Sequence, residues 1–175
     1  MVTRMRHTLS IVVADQPGEL SRIVGLFSAR GFNIEALSVA QTFDPQWSRV
    51  TVVTHGDPRV VEQIAKQCAR LVRVREVQNV TEDSHIERQM ALITVNAASG
   101  GQRQELLQLV SVFGAKLVDI SGDRAIVEFS GKREELATFI EALRPLGVLD
   151  IVRSGAVAVE RLTGTVEAVG SSASG

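Results

Sequence analysis

The 175-residue chain has one cysteine, no tyrosine, one tryptophan and four prolines, and only 4% of it is aromatic. The lone thiol, Cys68, rules out an internal disulfide framework. There is no excess of either charge: 19 Lys and Arg stand against 20 Asp and Glu, a net of −1. That balance argues against a nucleic-acid binder with a basic surface. It also leaves little repulsion between copies of the chain. Long apolar runs are missing. LSIVVA, Leu9 to Ala14, ends at Asp15 and is too short for a signal-peptide core or a membrane span, so a soluble, cytoplasmic protein is expected. His7, His55 and His85 are scattered, without cysteine or carboxylate at ligand spacing, and no metal site is expected. Ser10, Ser21 and Ser28 have no histidine partner in evidence. Gly100-Gly101 lacks the spacing of a dinucleotide loop. No nucleophile–base constellation points to an independent enzyme.

What is present is one pattern written twice. LSIVVA is β-branched, precedes the turn DQPG and reads as a strand. After Gly18, Leu20, Ile23, Val24 and Phe27 lie on one helical face, with Pro17 suited to the first helical position and Gly31 to the left-handed residue past the end. FNIEALSVA, SRVTVVTHG and VRVREV read as strands, with Val72 and Val74 on one face of the last. A helix opening at Asp57-Pro58 carries Val61, Ile64, Cys68 and Leu71 on one stripe, and Cys68 is expected as a buried structural thiol. The order is βαββαβ. Polar residues 78–89 read as a linker, and then the order restarts: MALITV, a helix with Leu106, Leu109, Val110 and Phe113, KLVDIS and RAIVEFS joined at SGD, a helix with Leu136, Phe139, Ile140 and Leu143, and VLDIV, which GAVAVERL may extend.

An offset of 83 residues sets Gly18 on Gly101 and Gly31 on Gly114. The expected fold class is therefore α+β, with two tandem ferredoxin-like βαββαβ domains, at 1–77 and 90–162. The Ser/Gly/Ala-rich residues 163–175 are expected to be a flexible tail. RNA-recognition domains share this strand order, but they need aromatics on the central strands, and LSIVVA and SRVTVVT have none. Each unit leaves a sheet face or edge to cover, which a homodimer would do; pairing of the two halves is the alternative.

A turn at Pro17-Gly18 followed by a helix start presents free N–H groups at Gly18, Glu19 and Leu20, a setting for a carboxylate. Asn33, expected near the end of the first strand, adds a donor and an acceptor, and Asp15 or a strand carbonyl could take an ammonium. Together they suit an amino acid. A cap or turn role for Asn33 is the plain alternative. Asn33 superposes on Lys116, so one site per chain, in the first half, is expected. Trp47, in the TFDPQWSR loop, reads either as a half-buried hairpin residue or as an anchor on a partner.

The stretch from Pro17 to Asp57, with its core PG-L-R--GLFS-RG-NIE-L and the segment DP--SR-T, resembles the first domain of the regulatory, small subunits of acetolactate synthase (acetohydroxyacid synthase). VRSGAVAVERL is similar to part of their C-terminal domain, and the resemblance covers about residues 5–162. It implies an ACT domain, an ACT-like second domain and no catalysis by this chain. It implies binding and activation of the catalytic subunit, and feedback inhibition by a branched-chain amino acid, most readily valine. The effector would lie between two subunits against Asp15, Gly18, Glu19, Leu20, Asn33 and Ile34, with Asp15 standing where some members have Asn. Thiamine diphosphate, Mg and FAD would belong to the catalytic partner. A free-standing amino-acid sensor acting on another partner is the alternative function.

Overall fold

The computed structural model describes residues 5–81 and 84–162; the expected tail, 163–175, lies outside them. The first half folds as β1 (Met5–Ala14), α1 (Glu19–Ser28), β2 (Ile34–Gln41), β3 (Trp47–Gly56), α2 (Pro58–Cys68) and β4 (Val74–Asn79). The second folds as β5 (His85–Asn96), α3 (Gly100–Phe113), β6 (Lys116–Ser121), β7 (Arg124–Gly131), α4 (Arg133–Leu143), a 3-10 turn at Arg144–Leu146, β8 (Val148–Arg153) and β9 (Val157–Glu160). The first sheet runs β2-β3-β1-β4 and the second β6-β7-β5-β8, all antiparallel between neighbours. The two βαββαβ units expected from the repeat are both there.

Pleating sends alternate residues to opposite faces. Leu9, Ile11 and Val13 of β1 meet Val50 and Val52 of β3 under Ile23, Phe27, Val61, Ile64 and Cys68 of the helices. The second core repeats this with Ile93, Val95 and Val127 against Leu106, Leu136, Phe139 and Leu143. Both α1 and α3 end alike. Gly31 (φ 67°) and Gly114 (φ 65°) are left-handed, and the next residues, Phe32 and Ala115, donate back to the carbonyls of Phe27 and Val110 at 3.0 and 2.9 Å. This is the Schellman closure that glycine permits without a Cβ penalty. The repeat offset then falls from 83 at Gly31 and Gly114 to 75 at the starts of α2 and α4, mostly because the second hairpin is shorter: β6 and β7 are each two residues shorter than β2 and β3, and a two-residue turn at Gly122-Asp123 replaces the five-residue Thr42–Gln46 loop.

Three local expectations differ from the structure. Pro17 is not the first helical residue; α1 starts at Glu19, and Gly18 caps it at φ 89°. The left-handed glycine turns the chain before the helix begins. In β4, Val72 is fully exposed and precedes the strand, while a bulge at Arg75 puts Val74 and Val77 on the core side. Simple alternation cannot foresee an inserted residue. Strand extends into both ends of the 78–89 stretch: β4 ends at Asn79 and β5 begins at His85, because β9 gives His85–Arg88 a hydrogen-bonding partner from far along the chain. GAVAVERL thus forms its own strand on the same β5, rather than lengthening β8 without a break.

The halves pack on each other. The face of the first sheet away from its helices is buried at Thr8, Ser10, Val12, Thr51 and Val53. β9 touches β1, and Gly155 lies so close to the Leu37–Ser38 backbone that a Cβ there would overlap the Leu37 carbonyl. Arg6 and Thr8 bind Glu87, and Arg133 reaches Glu35 at 3.4 Å.

Candidate functional site

The turn after β1 is tightly held. The Asp15 N–H donates to Gln46 O at 2.8 Å, and its carboxylate accepts from Gln41 Nε2 at 2.5 Å and Ser48 Oγ at 3.1 Å. These bonds tie the turn to the end of β2 and the start of β3. Gly18 opens α1 with no side-chain cap, and no neighbouring atom would crowd a Cβ there. Among the described residues, the N–H groups of Gly18 and Leu20 make no hydrogen bond, and that of Glu19 makes a long one, 3.4 Å, to Gln16 O. Two backbone donors therefore face solvent at the positive end of a ten-residue helix.

Glu19 is not an exposed first-turn acid. Its side chain is 3% exposed, with Oε1 at 3.3 Å from both Arg22 and Arg73, and Oε2 is buried without a partner. Its carboxylate joins the helix start to the segment before β4 and leaves only its backbone for a ligand. Leu20, 36% exposed, offers an apolar side chain beside the free donors.

Asn33 is elsewhere. It is exposed just before β2, and its carbonyl accepts from Thr54 Oγ1 at 2.8 Å. Ile34 packs into the core of its own unit. Because β2 and β1 both pair antiparallel with β3, they run the same way. Ile34 pairs with Thr54, which pairs with His7; Gln41 pairs with Ser48, beside the Trp47–Ala14 pair. Asn33 and the Asp15–Gly18 turn are thus at opposite ends of the sheet, about 23 Å apart along a strand rising 3.3 Å per residue. The expectation that pairing brings Asn33 to the end of β1 within one chain fails on strand direction.

Trp47 is the first residue of β3 rather than a loop residue. It is half-buried, with the Arg75 guanidinium 5.5 Å from its ring centroid. The fully exposed aromatic of that loop is Phe43, which no local spacing singles out. Gln41 and Ser48, the residues that hold Asp15, were also missed; the signal for them was their pairing across the hairpin, visible once its register is known.

Against known families, residues 9–76 match the small subunit-like ACT domain of acetohydroxyacid synthase, and residues 88–162 match the small subunit of acetolactate synthase. An acetolactate synthase small subunit from Haemophilus influenzae is 43% identical over 158 residues, spanning 90% of this chain and 96% of its own. This chain belongs to the acetolactate synthase small-subunit family. A probable member of that family from Archaeoglobus fulgidus is 41% identical over 157 residues, covering 90% of this chain and 98% of its own. The crystal structure of the Thermotoga maritima small subunit superposes with a TM-score of 0.81 at 36% identity, over 91% of this chain and 99% of that one. As a family member the chain is a regulatory subunit carrying an ACT domain, and the ferredoxin-like pair of units is the fold of its family. No helix among the described residues is long and apolar enough to cross a membrane, and none of their His, Cys, Asp and Glu side chains form a group that could hold a metal.

Proposed function

We propose that this chain binds the catalytic subunit of acetolactate synthase, raises its activity and makes it sensitive to a branched-chain amino acid, valine first. The carrying observation is that Asn33 and the Asp15–Gly18 turn mark the two ends of β2, and that β2 is an edge strand paired with β3 alone among the described residues. A two-fold pairing of two copies along β2, antiparallel, would set Asn33 of one against the turn of the other and give two equal sites per homodimer.

Each residue then has a role. The N–H groups of Gly18 and Leu20 take the effector carboxylate at the positive end of α1. The Asn33 amide bonds the effector from the partner copy. The Asp15 carboxylate, with two acceptor positions already used, has lone pairs left for the ammonium. Leu20 and Ile34 supply apolar wall for a branched side chain. Glu19 fixes the helix start and contributes its backbone. Thiamine diphosphate, Mg and FAD belong to the catalytic chain, and the pair works in the cytoplasm. Trp47 and the fully exposed Phe43 are assigned to contact with that chain. A coupling of about 1–3 kcal/mol between effector and partner suffices for feedback control.

The test is to mix the purified chain with the catalytic subunit and measure turnover with and without valine, leucine and isoleucine. Co-purification, activation and inhibition by one of the three are expected. Unchanged turnover in every mixture would overturn the reading.

A further inference from the structure

Where the two halves meet there is a cavity of about 190 Å³. Five cations surround it: Arg6 of β1, Arg88 of β5, Lys132 and Arg133 at the start of α4, and Arg161 after β9. Only Glu87 and Glu134 oppose them, in a protein whose net charge is −1. Glu87 is already taken by Arg6 and Thr8, and Arg133 reaches out to Glu35 at 3.4 Å. Arg88, Lys132 and Arg161 have no ion pair with a carboxylate among the described residues. The cavity also receives the start of α4, an eleven-residue helix. Lys132 N–H donates to Glu135 Oε2 at 2.8 Å, but the N–H groups of Arg133 and Glu134 make no bond among the described residues.

Like charges held this close repel unless something neutralises them. We infer that the cavity binds a small, multivalent phosphate-type oxyanion. Guanidinium forks suit phosphate oxygens in pairs, and a helix start adds backbone donors. The volume is below the 300 Å³ or more typical of drug-sized ligands. It fits a phosphate or diphosphate group, free or carried on a molecule whose bulk stays outside. Because β1 comes from one half and β5, α4 and Arg161 from the other, the bound anion ties the halves together. This site is separate from the turn after β1 and does not rest on the amino-acid reading.

The test is calorimetry on the full-length protein with inorganic phosphate, diphosphate and phenyl phosphate, in buffer of low ionic strength. Saturable binding at one site per chain is expected, with phenyl phosphate binding if the group is carried on a larger molecule. The double variant Lys132→Gln/Arg161→Gln, at exposed positions, should bind at least about tenfold more weakly, since charge-assisted bonds are lost. Glu134→Gln should bind more tightly, a change that misfolding would not produce. Glu82 and Asp83 precede β5 in sequence and lie outside the described residues. Binding seen only in Glu82→Gln/Asp83→Asn would assign the cations to that acidic pair and overturn the proposal. So would the absence of saturable binding, or equal affinity in the Lys132/Arg161 variant.

Discussion

The guanidinium of Arg6 holds the carboxylate of Glu87 through two hydrogen bonds, 2.6 and 3.0 Å long, and the two residues belong to different halves of the repeat. Thr8 Oγ1 donates a third, at 3.0 Å. Burial alone pushes the Glu87 carboxyl up, but the bonds and charge of Arg6, with Thr8 and His85, outweigh it and hold the carboxyl below its ordinary value. A lowered carboxylate stabilises the fold at pH above its unfolded value, about 4.3, and that contribution disappears as pH falls through the folded value. Glu87→Gln should therefore lower the melting temperature at pH 7 and flatten its fall in acid. The change at neutral pH should be about 1.5–3 kcal/mol, the usual worth of bonds to a charged group. Melting curves from pH 7 to pH 3 check both.

Asn33→Ala should weaken valine binding about 10- to 100-fold, from loss of a bond to a charged group. Gly18→Val should weaken it too, because a β-branched residue at a φ of 89° is strained. A mixture of the two variants is the sharper measurement. If the site is shared between copies, equal mixing and reassembly should restore tight binding at about a quarter of the sites, all of them in hybrid dimers. Calorimetry that finds no tight sites in a mixture shown to contain hybrid dimers would overturn the sharing of the site between copies.

Gly155 has backbone, not a flexible side-chain tip, within reach of its missing Cβ. Gly155→Val should force the β8–β9 connection off β2 and expose the face formed by Thr8, Ser10, Thr51 and Val53. Faster hydrogen exchange in β9 and at residues 36–38, with the helix-side cores unchanged, is the expected pattern. Uniform exchange rates would show that this contact carries little.

Cys68 is fully buried, and burial lifts its thiol to about 11, with the charge of Arg30 countering only part of that. It should resist thiol reagents at pH 8 in the folded protein and react at once in denaturant. Labelling followed by mass measurement decides it.

Much of the fold is legible in the residue pattern. The helical stripes Val61–Ile64–Cys68 and Leu136–Phe139–Leu143 are buried as their spacing implied. Gly31 and Gly114 mark helix ends because a left-handed residue is needed there. Boundaries that depend on a distant partner were not legible. Residues 85–88 look polar because β5 projects beyond its own core, and β9 is the strand that pairs with them. Val72 looks like a strand residue because the bulge at Arg75 leaves no trace in the alternation.

The candidate site divides the same way. Gly18, with free backbone donors beside it, could be read from a Pro-Gly turn before an apolar stripe. That Asp15 is held by Gln41 and Ser48, and that Glu19 is buried, could not, since each rests on contacts between residues 26 to 54 positions apart. Local spacing by itself determined the elements, the duplication and the anion-friendly helix start, because these follow from periodicity and from glycine's freedom at one residue. Strand direction decided the rest: β1 and β2 both pair antiparallel with β3 and so run the same way, which puts Asn33 and the Asp15–Gly18 turn at opposite ends of the sheet.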